Sequence, residues 1–297
     1  MNFKNVTVAG SGVLGYQIAF QTAFHGFKVS VYDINDEVLA KAKAKFFELS
    51  ECYKRDINAT QEQLDNTFNN LSYYSNLAEA VQDADLVIEA VPEDVGIKTD
   101  FYEKLSQVAP AKTVFATNTS TLLPSQFRDL TGRPEKLLAL HFANLIWVNN
   151  MAEIMGHDTT DKQVFEDLVQ FAKAIGMVAL PVYKEQPGLI LNSMLVPYCV
   201  SALELWINEV SDPHTIDKTW MKSFGSPKGP FAILDIIGIT TAYNIAKLHA
   251  DVNPIMARIK ERLENEFINQ NKLGLPTGQG FYSYPNPAYE SATFLKG

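Results

Sequence analysis

Two textures of hydrophobic patterning divide this chain of 297 residues. In the first, short apolar and β-branched runs suit buried strands: 5–9 (Asn5-Val6-Thr7-Val8-Ala9), 28–32, 71–74, 86–91, 113–116, 137–142, 152–155 and 177–182. Between them, apolar residues recur at helical spacing. Ile18, Ala19 and Ala23 mark one helix, which Gly26 is placed to stop, and Val38, Leu39, Ala42, Phe46 and Leu49 mark a second. A third begins near Thr60, with Glu62 and Gln63 behind it as a cap, and two more cover 97–108 and 160–175. Strands alternating with helices predict an α/β fold with a doubly wound sheet. Past Pro187-Gly188 only helical periodicity remains, over 189–208, 213–224, 231–249 and 254–271. Two domains are expected: 1–187 with the sheet, and an all-helical C-terminal domain over 188–297. The helix from 189 has few charges and carries apolar residues on more than one face. It is expected to be buried between domains or against a second subunit.

The first strand runs directly into Gly10-Ser11-Gly12-Val13-Leu14-Gly15, and Asp33 ends the second strand. Strand, glycine turn, helix, strand and acid follow one another as a Rossmann-like dinucleotide site requires. Gly10 permits the tight turn, Gly12 lets a pyrophosphate approach the backbone, and Gly15 lets helix and strand pack closely. The helix start at Val13 and Leu14 offers unpaired N–H groups and a positive dipole end. The Asp33 carboxylate would accept hydrogen bonds from the adenosine ribose and repel a 2′-phosphate, so NAD is expected rather than NADP. A flavin site or an empty structural turn is the alternative.

Composition narrows the partners. The net charge of −9 argues against non-specific binding to nucleic acid or to an anionic membrane. The start of the chain has no secretory pattern and no apolar run approaches transmembrane length, so no membrane partner is expected, and the two scattered cysteines read as reduced thiols of a cytoplasmic protein. Cys52 and Cys199 are too few for a disulfide framework or a zinc site, and no metal is expected.

Ligands of such sheets bind at the carboxyl ends of the strands. The residues there are Pro92-Glu93 with Lys98, the polar run Thr117-Asn118-Thr119-Ser120-Thr121, His141-Phe142-Ala143-Asn144, and Ala152-Glu153-Ile154. His141 at a strand end is the natural general base. Glu153, flanked by apolar residues at the start of the next strand, would fix its tautomer and stabilise the imidazolium. Each alone reads as an ordinary core histidine and an ordinary edge acid; the pair beside a nucleotide site reads as a catalytic dyad. His25, His157, His214 and His249 are read as surface.

The chain resembles the 3-hydroxyacyl-CoA dehydrogenases, in the short form called 3-hydroxybutyryl-CoA dehydrogenase. The resemblance rests on the glycine turn, Leu86-Val87-Ile88-Glu89-Ala90-Val91-Pro92-Glu93 with Lys98, Asn118-Thr119-Ser120, His141-Phe142-Ala143-Asn144 with Glu153, and Pro187-Gly188-Leu189-Ile190-Leu191-Asn192. It extends to Gly229-Pro230-Phe231 and Thr277-Gly278-Gln279-Gly280-Phe281-Tyr282. It implies an NAD-dependent oxidoreductase of fatty-acid metabolism, dimeric through its helical domain. It implies that His141 and Glu153 are the dyad, that Ser120 and Asn192 contact substrate oxygens, and that Asn144 helps hold His141 and the substrate. Glu93, Lys98 and Asn118 would serve the cofactor, the first two near its nicotinamide. Four departures stand out, the first being Ala143 in place of the family's second phenylalanine. Leu145 replaces the family's proline, which should free the loop flooring the substrate site; Thr121 replaces a second serine; Ser193 replaces an arginine. The helix implied to carry CoA contacts is only weakly basic, with Lys41, Lys43, Lys45, Lys54 and Arg55 interleaved with acids.

The expected reaction is reversible hydride transfer between NAD and C3 of a small-molecule substrate, a 3-hydroxyacyl-CoA such as 3-hydroxybutyryl-CoA. Three alternatives remain: a dehydrogenase of a free 3-hydroxy acid such as a sugar acid or carnitine, a non-catalytic NAD-binding protein, and a decarboxylating hydroxy acid dehydrogenase. The last usually needs a lysine in the helical domain, and none stands four residues after Asn192.

Overall fold

The computed structural model describes residues 3–296. Its strands are β1 (Asn5–Ala9), β2 (Lys28–Tyr32), β3 (Leu71–Tyr74), β4 (Leu86–Glu89), β5 (Val114–Thr117), β6 (Leu137–Phe142), β7 (Met151–Met155) and β8 (Val178–Val182). They form one sheet in the order β3-β2-β1-β4-β5-β6-β7-β8. Every pairing is parallel except β6 with β7. Leu86, Val87 and Ile88 of the central strand are fully buried, as a strand covered on both faces must be. Alternate residues face two cores. Val8, Ile88, Leu138 and Leu140 pack with α1 (Gly15–Phe24), α2 (Asp36–Ile57), α3 (Gln61–Asn69) and α6 (Lys162–Ala174). Val87, Phe115 and Leu137 pack with α4 (Leu77–Val81) and α5 (Val95–Val108). Helix α4 has no counterpart in the periodicity, because five residues are too few to show one. β1 lies between β2 and β4, where the strand order reverses, and this opens a crevice at the carboxyl ends beside the glycine turn.

Contacts divide the chain into a first unit up to Asn192 and a second from Ser193. The boundary expected at 187/188 lies just before α7 (Leu189–Ile207), whose first turn belongs to the first unit. The second unit continues with α8 (Pro213–Phe224), α9 (Pro230–Ile237), α10 (Ile239–His249) and α11 (Pro254–Glu266) around Trp206, Phe231, Leu234, Leu263 and Tyr282.

The single helix expected over 231–249 is two. Gly238, at φ +90°, turns the chain between α9 and α10, which bend by 96°. Apolar spacing continues across the break, so periodicity alone hides it. Helix α11 ends at Glu266, and Ile268–Gln270 form a tighter turn. The expectation that no apolar segment reaches transmembrane length is also overturned. Helix α7, with 19 residues, is long and apolar enough by length and composition. Asn192, Ser193, Pro197, Ser201 and Glu204 interrupt its apolar run and conceal this in the linear sequence. Cys199, Ala202, Leu203 and Trp206 of this helix are buried in the second core.

Two of the histidines read as surface are enclosed. The His157 side chain is fully buried in a turn closed by its own N–H donating to Thr160 Oγ1. His214 stacks on Tyr282 at 4.4 Å and donates from Nε2 to the Phe281 carbonyl.

Candidate active site

The antiparallel pairing of β6 and β7 sets His141 directly opposite Glu153. His141 Nδ1 lies 2.9 Å from Glu153 Oε2, and both residues are buried. A carboxylate only accepts, so Nδ1 carries the proton and Nε2 presents its lone pair. The Ser120 hydroxyl meets that lone pair at 3.2 Å. The other oxygen of Glu153 accepts the backbone N–H groups of Ile190 and Leu191, at 2.8 and 2.9 Å, in the first turn of α7. Burial pushes the Glu153 carboxyl up, but the His141 bond and the two helix donors outweigh it and hold the group below its ordinary value. Asn192 follows on the same turn, its N–H bonded to the Gly188 carbonyl. Among the described residues, no hydrogen bond ties its side chain to Ser120 or His141.

Ser120 is aimed by Glu93. One Glu93 oxygen accepts from the Thr119 hydroxyl, the Ser120 N–H, and the N–H and hydroxyl of Thr121. Its other oxygen lies 3.2 Å from Lys98 Nζ. Burial opposes ionisation of Glu93, yet these donors and the ammonium lower it to about 2. Lys98 is itself 1% exposed and bonds Glu89 Oε1 at 2.6 Å. It therefore reaches the crevice through Glu93 rather than by its own surface. Glu89 also accepts from the Val91 N–H and the Tyr102 and Thr117 hydroxyls. Sequence reasoning gave Glu89 no role, although a charge closing a buried apolar strand at its carboxyl end is the signal that would have found it. Asn118 Oδ1 accepts from the Phe142 N–H, stitching the end of β5 to the end of β6.

The loop after β6 is not freed. Leu145 adopts φ +61° and donates its N–H to Gln17 Oε1 at 2.9 Å. Gln17 Nε2 donates to Asn144 Oδ1. Sequence reasoning missed Gln17, whose partners Asn144 and Leu145 lie more than 120 residues away.

At the glycine turn, Gly10 has φ +98°, and a Cβ on Gly15 would lie 1.8 Å from the Gly10 carbonyl. A Cβ on Gly12 would meet nothing within 4 Å, so the turn is open above that residue. Leu14, at the start of α1, brings no side-chain cap to the helix N–H groups. Asp33 Oδ2 accepts from the Ser11 N–H and hydroxyl, and Oδ1 from the Ile34 N–H. Oδ1 retains a lone pair for a further donor.

The family models for the 3-hydroxyacyl-CoA dehydrogenase NAD-binding and C-terminal domains match residues 5–186 and 188–284. The chain belongs to the 3-hydroxyacyl-CoA dehydrogenase family. It is 32% identical over 288 residues to the human mitochondrial hydroxyacyl-coenzyme A dehydrogenase, covering 95% of this chain and 91% of that one. It is 31% identical over 288 residues to a probable 3-hydroxybutyryl-CoA dehydrogenase of Bacillus subtilis, covering 96% and 98%. Among solved structures it resembles a diketoreductase described for substrate-directed dual catalysis of dicarbonyl compounds. There the TM-score is 0.92 and the identity 51%, over 96% of this chain and all of that one.

The cofactor of this 3-hydroxyacyl-CoA dehydrogenase family member is NAD. The open approach at Gly12, the uncapped helix start and the spare lone pair on Asp33 fit a dinucleotide. Its helix α2 departs from a polyanion-binding surface. Lys41, Lys54 and Arg55 pair with Glu37, Glu51 and Asp56, while Lys43 and Lys45 lie over the rings of Tyr73 and Tyr16. Five basic residues share the helix with five acidic ones, Asp36, Glu37, Glu48, Glu51 and Asp56.

Proposed function

We propose that this chain catalyses reversible NAD-linked hydride transfer at C3 of a 3-hydroxy or 3-oxo acyl compound. The observation that carries the reading is the continuous array from Ser120 Oγ through His141 to Glu153. In oxidation, His141 Nε2 takes the proton of the C3 hydroxyl, and in reduction it returns it. Glu153 holds Nδ1–H and stabilises the imidazolium, while two helix N–H groups fix the carboxylate from behind. Ser120, aimed by Glu93, donates to the C3 oxygen when that oxygen bears negative charge, and Asn192 supplies a second donor. NAD, held along Gly10, Gly12, Val13, Leu14 and Gly15 with its ribose at Asp33, supplies the hydride acceptor when bound. Glu93 and Asn118 shape the nicotinamide side of the crevice, with Lys98 supporting Glu93. The test is NADH oxidation with acetoacetyl-CoA: activity abolished in His141→Ala supports the reading, and activity untouched by it refutes the dyad.

A second reading concerns the substrate's handle. The charge balance of α2 and the likeness to a diketoreductase favour a free 1,3-dicarbonyl over a CoA thioester. CoA carries several phosphate charges, and a helix with as many acids as bases offers them no net attraction. Comparing kcat/KM for acetoacetyl-CoA and for an uncharged 1,3-diketone separates the two. A preference for the thioester by a factor above about 100 would remove the second reading.

The protein is further proposed to be a homodimer through its helical unit. On α7, Met194, Pro197, Ser201 and Leu205 are exposed at successive helical turns. On α8, the Trp220 and Phe224 rings lie 4.4 Å apart, tilted by 38°, with Phe224 70% exposed.

A further inference from the structure

Gln17 lies two residues beyond Gly15, on the first turn of α1, and is 2% exposed. Its carboxamide is fully used. Nε2 donates to the Val13 carbonyl and to Asn144 Oδ1, each at 2.7 Å. Oε1 accepts from Leu145 N at 2.9 Å and Ile146 N at 3.4 Å. One buried side chain therefore joins the glycine turn to the segment that leaves the strand of His141.

The consequence falls on Asn144. Its Oδ1 is taken by Gln17 Nε2 and also by the Leu145 N–H at 3.0 Å. Its own carbonyl accepts from Asn149 Nδ2, which closes the segment behind it. A carboxamide has one accepting and one donating end. With the oxygen committed inward, the exposed Asn144 side chain turns its NH2 outward, and among the described residues that group has no partner. The N–H of Leu145 is essential to this lock, and so is its φ of +61°, which a proline could neither adopt nor match with a donor.

We propose that Gln17 is a positioning residue that fixes the polarity of Asn144, so that the site offers a hydrogen-bond donor to a second oxygen of the substrate. The class selected is a compound with an acceptor beside the reacting carbon, such as the second carbonyl of a 1,3-dicarbonyl. Compounds that place a donor there, such as an ammonium group, are rejected because two donors then face each other. This rests on the functional reading above.

The decisive variant is Gln17→Glu. It keeps the acceptor for Leu145 and Ile146 but repels Asn144 Oδ1 and attracts Nδ2, which turns the amide over. KM for a 3-oxo substrate should rise about tenfold, the weight of one hydrogen bond replaced by an unfavourable contact. In an Asn144→Ala background the same substitution should raise that KM several-fold less, because only the lost bond to the Val13 carbonyl, common to both backgrounds, remains. Equal effects in both backgrounds would overturn the proposal. Should Gln17→Glu fail to fold, Gln17→Met run through the same cycle reads the same coupling. Independently of turnover, Gln17→Met should raise deuterium uptake over 143–149, and unchanged uptake would also overturn the lock. A wild-type chain that oxidises NADH with no 3-oxo compound would defeat the functional reading itself, whereas turnover with an additive cycle defeats only the role of Gln17.

Discussion

His141 receives opposite instructions at its two nitrogens: a carboxylate behind it and a hydroxyl in front. Replacing it by alanine should lower turnover roughly 10²–10⁴-fold, the usual weight of a positioned general base. NADH affinity, measured by fluorescence titration, should hardly change. Glu153→Gln should cost both activity and stability. One amide oxygen cannot serve the imidazole and the two α7 N–H groups that the carboxylate serves together, so turnover and melting temperature should fall in the same variant. At Asp33 the expectation concerns cofactor choice. A carboxylate pinned by Ser11 and Ile34 cannot swing away from a 2′-phosphate, so kcat/KM should favour NAD over NADP by a large factor, and Asp33→Ala should narrow it. Equal use of both cofactors by the wild type would show that the ribose lies elsewhere.

The turn that carries Ser120 and the helices of the second unit should answer pH in opposite senses. Glu93 falls from 4.5 to about 2 because donors and Lys98 outweigh its burial. Its folded value lies below its unfolded one, so it stabilises the turn at higher pH. That contribution is lost as pH falls from 4.5 through about 2. In the second unit, Asp217 accepts from the Phe231 and Ala232 N–H groups at the start of α9 and from the Tyr282 hydroxyl. Asp235 accepts from Phe281 N, Tyr282 N and the Tyr284 hydroxyl. Burial raises both despite these donors, Asp235 from 3.8 to about 6. The folded state then holds its proton more tightly than the unfolded one, so this unit loses stability as pH rises from 3.8 to about 6. Hydrogen exchange followed from pH 3 to 7, corrected for intrinsic rates, should show protection around Ser120 growing with pH. Protection around Phe231 and Tyr282 should decline. Parallel trends in both segments would contradict this assignment of the acids.

For the whole molecule the open question is what covers α7 and α8. The exposed row at Met194, Pro197, Ser201 and Leu205, together with the exposed Trp220–Phe224 pair, is more apolar than solvated helix faces need to be. A two-fold contact would bury it at once on both copies. Light scattering at micromolar concentration should give twice the chain mass of 33.1 kDa. Met194→Glu with Phe224→Glu should shift the protein to a monomer, and a wild-type monomer would leave the face without a role in assembly.

The sequence by itself determined the eight strands, most of the helices, and the placing of Glu93, Ser120, His141 and Glu153 at or just beyond strand ends. Gly10 and Gly15 require their turn through the backbone alone, and Thr60 with Gln63 builds the cap that the spacing suggests. His141 and Glu153 could be paired because neighbouring strands are short and close in the chain, and the antiparallel register makes them face each other. Only the tertiary structure decided what depends on distant segments meeting. Glu89 and Lys98 look like separate charges until β4 and α5 enclose them together. Gln17 looks like a surface residue of α1 until the Asn144 segment closes on it. The turn at Gly238 divides a helix whose periodicity runs on unbroken, because hydrophobic spacing records which side is buried and not where the axis bends. Periodicity is a local property, whereas the polarity of Asn144 and the ionisation of Glu93 are set by partners that folding brings from elsewhere in the chain.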